Sequence, residues 1–290
     1  MKRIKITLIL LTVAFFSISC SSNDSEETDP QVTLAFQKLT NVSYGTDAKQ
    51  NFDLYLPEGR TSSTKVMILV HGGGWSSGDK SSMDVLVNLF RTDLPNIALV
   101  NINYRLSDEN NPPYPMQIND ITSIINLLKA NKEEYAISED FGFLGTSAGG
   151  HLSLLWSYAF DSSNDVNMVC SIVGPTNFTD EAYLNNTNPA LQLLLDSFGL
   201  DPTIEFLEEV SPLHQATSSS PPTIHFYGGQ DPLIPTTQGT GLRDQLNTLG
   251  VTNEFTLYEN AGHGWGANAV ELTLLLDTWA KIKAFTETHL

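Results

Sequence analysis

Short apolar runs alternate along this chain with longer stretches whose apolar residues recur at helical spacing. KLTNVSYG (38–45) and NFDLYLP (51–57) read as β-strands. KVMILVHGGG (65–74) contains five consecutive apolar residues, the pattern of a strand covered on both faces. Residues 97–102, 141–144, 166–174, 223–229 and 254–259 repeat the strand pattern, while 115–132, 151–160, 241–250 and about 270–289 carry helical periodicity. This alternation predicts right-handed crossovers and an α/β fold: a mostly parallel sheet covered by helices on both faces, in one domain over residues 36–290. Residues 175–222 interrupt the alternation. A connection of that length is expected to form a lid-like excursion or a pocket wall.

The first residues stand outside this pattern. Residues 1–19 combine basic Lys2, Arg3 and Lys5 with an apolar run, Ile6 to Ile18, that is short for a membrane span. With Cys20 they resemble a bacterial lipoprotein signal in which Cys20 becomes the lipidated first residue, although Ser17 stands where that pattern usually has leucine. Residues 20–35 are polar and acidic and are predicted to be a flexible tether. The expectation is a protein of the bacterial cell envelope, touching membrane only through a lipid on Cys20; plain secretion is the alternative.

Charge narrows the partners. Without residues 1–19 the chain keeps 12 basic residues against 33 acidic ones, a net charge of −21, which disfavours nucleic acid. The other cysteine, Cys170, lies in an apolar run and reads as a buried core thiol. No disulfide framework is possible, and no His/Cys spacing suggests a metal.

The stretch GFLGTSAGGHLSLL (142–155) carries the candidate chemistry. Gly145-Thr146-Ser147-Ala148-Gly149 follows a predicted strand and opens a predicted helix, where a tight turn would lift the Ser147 hydroxyl clear of the backbone. A serine nucleophile needs a general base, and the base needs a carboxylate to orient it. His263 follows the strand-like EFTLYE and Asp231 follows TIHFY, so both emerge at the sheet edge that carries Ser147. His214 is the competing base and Asp201 the competing acid. His151 is expected to pack or hydrogen-bond beneath the turn, His225 lies within a strand, and His289 lies at the terminus. His71-Gly72-Gly73-Gly74-Trp75 leaves a strand with flexible N–H groups. No lysine follows in the P-loop position, so a phosphate cradle is disfavoured.

Taken in order and spacing, HGGGW, NYRL, GTSAGGH, DPLIP and GHGW resemble the α/β-hydrolase esterases. The resemblance is to the branch shared by hormone-sensitive-lipase-like enzymes and carbohydrate esterases with acetyl-xylan or feruloyl activity. It covers about residues 42–290 and implies an eight-stranded sheet, with Ser147 as nucleophile, Asp231 as acid, His263 as base, and an oxyanion hole from the N–H groups of Gly73, Gly74 and Ala148. Arg105 and Asp120 match family positions and are expected to form an ion pair bracing the oxyanion loop. Trp75 and Trp265, beside proposed site residues, are candidates for the substrate pocket or for core packing. Thr146 and Asn103 stand where lipase-like members often have aspartate. The implied activity is hydrolysis of short-chain or carbohydrate-linked esters (acetyl or feruloyl type) without cofactor or metal. An amidase or exopeptidase using the same three residues, and a catalytically inactive surface binding protein, are the alternatives.

Overall fold

The computed structural model describes residues 33–290 apart from 186, 188, 190–191, 193–195, 197–202 and 267. The leader, Cys20, most of the tether and Asp201 lie outside the described residues. Thr33–Leu290 forms one compact unit.

Its strands are β1 (Gln37–Ser43), β2 (Asn51–Leu56), β3 (Val66–Val70), β4 (Ala98–Ile102), β5 (Phe141–Thr146), β6 (Val166–Ile172), β7 (Thr223–Gly228) and β8 (Asn253–Tyr258). They build one sheet in the order β1-β2-β4-β3-β5-β6-β7-β8. The pairs β1–β2 and β2–β4 are antiparallel, and every pair from β4–β3 to β7–β8 is parallel. β3 and β4 are buried throughout, which accounts for the unbroken apolar run of β3 and for the apolar β4, interrupted only by Asn101, whereas edge strand β1 has no buried residue.

The helices are α1 (Asp84–Asp93), α2 (Pro113–Ala130), α3 (Lys132–Tyr135), α4 (Ala148–Ala159), α5 (Glu181–Leu184), α6 (Ile204–Glu209), α7 (Pro212–Gln215), α8 (Thr236–Leu249) and α9 (Ala269–His289). Two cores result. Residues of α2, α4 and α8 cover one face of the sheet, with Ile121, Leu155 and Leu246 among the buried side chains. Those of α1 and α9 cover the other, through Phe90, Trp279 and Phe285. The helix α1 and the 3-10 turn before it (Lys80–Met83) have no counterpart in the sequence reading. The buried Leu86, Val87 and Phe90 of α1 stand at i, i+1 and i+4, a short helical stripe that the sequence reading did not single out.

The described part of the 175–222 excursion is docked rather than free. Phe178, Tyr183, Leu207 and Val210 are buried in the core on the α4 side. Gln238 of α8 clamps the start of the excursion: its carbonyl oxygen accepts the N–H groups of Thr176 and Asn177 at 2.8 Å each, and its amide donates to the Asn177 carbonyl and the Asp180 carboxylate at 2.9 Å each. These residues form a wall.

The α9 side depends on an aromatic contact. Phe90 meets Trp279 edge-on at 4.9 Å, and the Trp279 indole N–H donates to Asp93 at 2.7 Å. Phe90→Ala is expected to cost about 3–5 kcal/mol by denaturant titration, because a fully buried ring is lost and its cavity cannot collapse. A loss below about 1 kcal/mol would show that α1 contributes little to the fold.

Candidate active site

The site is built on the turn between β5 and α4. Ser147 sits there at φ 52, ψ −122, a conformation that costs a non-glycine residue roughly 1–3 kcal/mol. Close packing of backbone against backbone maintains it. A Cβ on Gly145 would fall 2.1 Å from the Gly149 carbonyl oxygen, and one on Gly149 would fall 2.2 Å from that of Val70. The Ser147 N–H donates to the Ile172 carbonyl at 2.8 Å, so β6 holds the turn from its other side.

Two loops bring the partners of Ser147 from the same sheet edge. Asp231 follows β7 and His263 follows β8. The loops are stitched together by the Gln230 N–H, which donates to the Ala261 carbonyl at 2.8 Å. His263 Nε2 lies 2.9 Å from Ser147 Oγ, and Nδ1 lies 2.7 Å from Asp231 Oδ2. A carboxylate oxygen only accepts, so Nδ1 carries the proton and Nε2 is left to accept from the Ser147 hydroxyl. The Asp231 side chain is fully buried, and its Oδ1 accepts the N–H groups of Leu233 and Ile234 at 2.8 and 3.0 Å. Four bonds therefore fix the chain from acid to base to hydroxyl.

The loop after β3 lies against this turn. A Cβ on Gly72 would fall 3.1 Å from Ser147 Cβ. Gly73 has φ 120, and a Cβ there would strike the Ser77 carbonyl at 2.2 Å. The Ser77 N–H and hydroxyl both donate to the Gly73 carbonyl, at 3.0 and 2.8 Å, turning that oxygen away into the loop. Among the described residues, the N–H groups of Gly73, Gly74 and Ala148 have no protein acceptor. Ala148 is the first residue of α4, where the helix end adds positive potential.

Buried polar contacts hold the loop in place. The Tyr104 hydroxyl donates to the His71 carbonyl at 2.8 Å, and the two rings stack at 4.3 Å. Gln117 of α2 donates to the carbonyls of Trp75 and Arg105 at 2.6 and 2.8 Å. Arg105 meets the fully buried Asp120 in a fork, Nη2 to Oδ1 at 2.6 Å and Nε to Oδ1 at 2.9 Å, and this bonding raises the Arg105 pKa. The expected pair is present, and Gln117 is the link by which it reaches the loop. Asn103 accepts the Lys80 N–H and donates to Asp79, so an amide serves at a position where both roles are needed at once.

Trp75 is shut away from any pocket, whereas Trp265 is only partly covered. Trp75 is completely buried, and its indole N–H donates to His151 Nδ1 at 3.1 Å. His151 Nε2 in turn donates to the Val210 carbonyl at 2.8 Å, tying the His71–Trp75 loop, α4 and the excursion wall together. Trp265 is half-buried, with its N–H on Thr278 of α9 and its ring edge-on to Tyr258 at 5.0 Å. Trp75, completely buried, packs in the core rather than lining a pocket, and the partly exposed Trp265 is anchored to α9 through its N–H. Of the competing groups, His214 bonds Thr179 at 2.9 Å and Asp201 lies outside the described residues. Gln117 and Gln238 were invisible in the sequence, where a glutamine on a helix reads as surface.

With this geometry established, the BD-FAE family model matches residues 52–246. The chain belongs to the BD-FAE family. This BD-FAE chain is similar to "Esterase LipC" of Mycobacterium tuberculosis, at 25% identity over 259 residues covering 80% of the chain and 64% of that protein. It is also similar to "Probable carboxylic ester hydrolase LipM" of the same organism, at 28% over 202 residues, 65% and 46%. The chain thus spans less than two thirds of the length of these relatives. The fold is that of solved structures including "Truncated form of carbohydrate esterase from gut microbiota" (TM-score 0.69, 22% identity, 86% of this chain and 96% of that one). Another is carboxyl esterase 2 of the fungus Tuber melanosporum (TM-score 0.69, 22%, 92% and 90%).

Two buried histidines in this framework set a pH dependence. Burial lowers His151 to about 4 and His225 to about 3. Below pH 6.5 the unfolded chain binds protons on both that the folded chain refuses, so folding stability falls as pH drops towards 4, by up to about 1.4 kcal/mol per unit for each histidine. His225 has no hydrogen-bond partner on either ring nitrogen among the described residues. His225→Phe is therefore expected to flatten the fall in stability between pH 6.5 and 4.5 without loss of stability at pH 7, measured by urea titration. An unchanged slope would contradict the assignment.

Proposed function

We propose that the chain is a serine carboxylic-ester hydrolase acting on short-chain or carbohydrate-linked esters, of acetyl or feruloyl type, through an acyl-enzyme. The observation that carries this reading is the connected run from Asp231 Oδ2 through His263 to Ser147 Oγ, at 2.7 and 2.9 Å. The esterase names of the relatives support the same reaction. The polysaccharide side of the proposal draws on neighbours titled carbohydrate esterase and "acetyl ester-xyloside bifunctional hydrolase".

In this reading His263 Nε2 takes the Ser147 proton as Oγ attacks the ester carbonyl. The Asp231 carboxylate holds the imidazole in the accepting tautomer and stabilises the imidazolium. Negative charge moves to the carbonyl oxygen, which is received by the N–H groups of Gly73, Gly74 and Ala148. His263 then returns the proton to the leaving alkoxide. Water, deprotonated by the same imidazole, attacks the acyl-enzyme and releases the acid. A lipid on Cys20 would hold the domain on the cell envelope, where polysaccharide esters are met.

Hydrolysis of 4-nitrophenyl acetate, longer acyl esters, methyl ferulate and acetylated xylan, compared between wild type and Ser147→Ala, tests both levels. Ser147→Ala is expected to lower kcat by about 1,000-fold or more on every active substrate. Equal rates for the two proteins would overturn the mechanism, and a preference for long acyl chains would overturn the substrate class.

A further inference from the structure

A cavity of about 210 Å³ opens on the surface between β1, β2 and α1. A second of about 180 Å³ adjoins it and shares Tyr55 and Arg91. Neither is lined by a residue of the Ser147 site. The cavity instead lies at the far end of the run that starts with the oxyanion loop, since His71–Lys80 begins against Ser147 and ends here with Lys80.

The chemistry of the lining is uneven. The Lys80 ammonium is spent on Asn41 Oδ1, Asn51 Oδ1 and Asp53 Oδ1 at 2.6, 2.6 and 2.7 Å, so this pair is a closed, neutral floor. Lys38 and Arg91 differ. Both lie against the Tyr55 ring, at 4.8 and 5.6 Å, and Arg91 also lies against Phe36 at 4.9 Å. Among the described residues neither cation has a carboxylate partner, in a chain whose acids outnumber its bases 33 to 15. An exposed arginine and lysine left without a carboxylate partner while acids are in such excess, and both lying against the Tyr55 ring, give this cavity two cations open to an anion. The exposed side chains of Asn88 and Asp84 line the same cavity. An amide and a carboxylate offer partners to hydroxyl groups.

We propose that this cavity is an accessory binding site for a carboxylate-bearing sugar, a hexuronate, separate from the ester-hydrolysing site. The uronate carboxylate is received by Arg91 and Lys38, and the ring hydroxyls by Asn88 and Asp84. The cavity is below the range of drug-sized pockets and suits one sugar unit. The carboxylate could come from a uronate residue of a glycan or from a simple carboxylic acid such as a released acyl product. The hydroxyl partners distinguish the two.

NMR titration of the full chain with D-glucuronate, D-glucose and acetate tests the proposal, following the Arg91 side-chain Nε–H signal. Glucuronate is expected to shift that signal saturably, with acetate at least about fivefold weaker and glucose without effect. Arg91→Gln and Lys38→Gln are each expected to weaken glucuronate binding about tenfold, while their melting temperatures and 4-nitrophenyl acetate turnover stay at wild-type values. Asn88→Ala, which leaves both cations in place, is expected to narrow the preference for glucuronate over acetate. Equal affinity for glucuronate and glucose, or wild-type glucuronate affinity in both charge variants, would overturn the proposal. Acetate binding as tightly as glucuronate would overturn the sugar assignment. The ester-turnover arm reads the Ser147 site independently, so failure there and failure here are distinct results.

Discussion

The strained backbone of Ser147 is the constraint on which the site depends. At φ 52 and ψ −122 the serine departs from both strand and helix, and this puts its side chain at the mouth of the sheet instead of inside it. The strain persists because the surroundings leave the chain no other path. Gly145 and Gly149 close to backbone contact, the Ser147 N–H is taken by β6, and α4 begins at the next residue with a helix terminus whose N–H groups point outward. A side chain at either glycine would push β3, β5 and α4 apart together. The buried cost of the turn is met by the largest core in the molecule, which packs α4 across the sheet.

Geometry at the other groups follows from sharing that edge. Because β5, β7 and β8 run parallel in one sheet, the loops leaving their carboxyl ends converge, and a hydroxyl, a carboxylate and an imidazole from positions 147, 231 and 263 come within hydrogen-bond range. The His71–Trp75 loop leaves β3, the neighbour of β5, and its shape is held by buried hydrogen bonds. Trp75 to His151 to Val210, and Trp75 carbonyl to Gln117 to Arg105 to Asp120, are two hydrogen-bonded lines that meet at one buried residue. Leaving any of these buried polar groups without its partner costs of the order of 1–3 kcal/mol, so the loop has one arrangement. The excursion wall joins the same network through Val210 and is tied separately to α8 by Gln238, which makes it part of the site's support.

Much of this was legible in the sequence, for reasons that differ by element. Apolar-rich runs, unbroken in β3, reveal β3, β5 and β6 because parallel strands are covered twice. The strand-to-helix placement of GTSAGG reveals the turn because only glycine admits the backbone contacts made there. What stayed hidden was relational. The two tryptophans look like pocket walls when judged by their neighbours in sequence, and their anchoring role depends on His151 and Thr278, 76 and 13 residues away. Gln117 and Gln238 carry no periodic or compositional mark that separates a buried clamp from a surface amide.

Mass spectrometry of the chain after reaction with a fluorophosphonate probe most directly tests the claim that the strained turn, His263 and Asp231 together make Ser147 a nucleophile. The account predicts one adduct, on the peptide containing Ser147. It also predicts labelling slowed about 100-fold or more in His263→Ala, as expected when the general base is removed. Labelling of His263→Ala at the wild-type rate, or an adduct on any other residue, would contradict it.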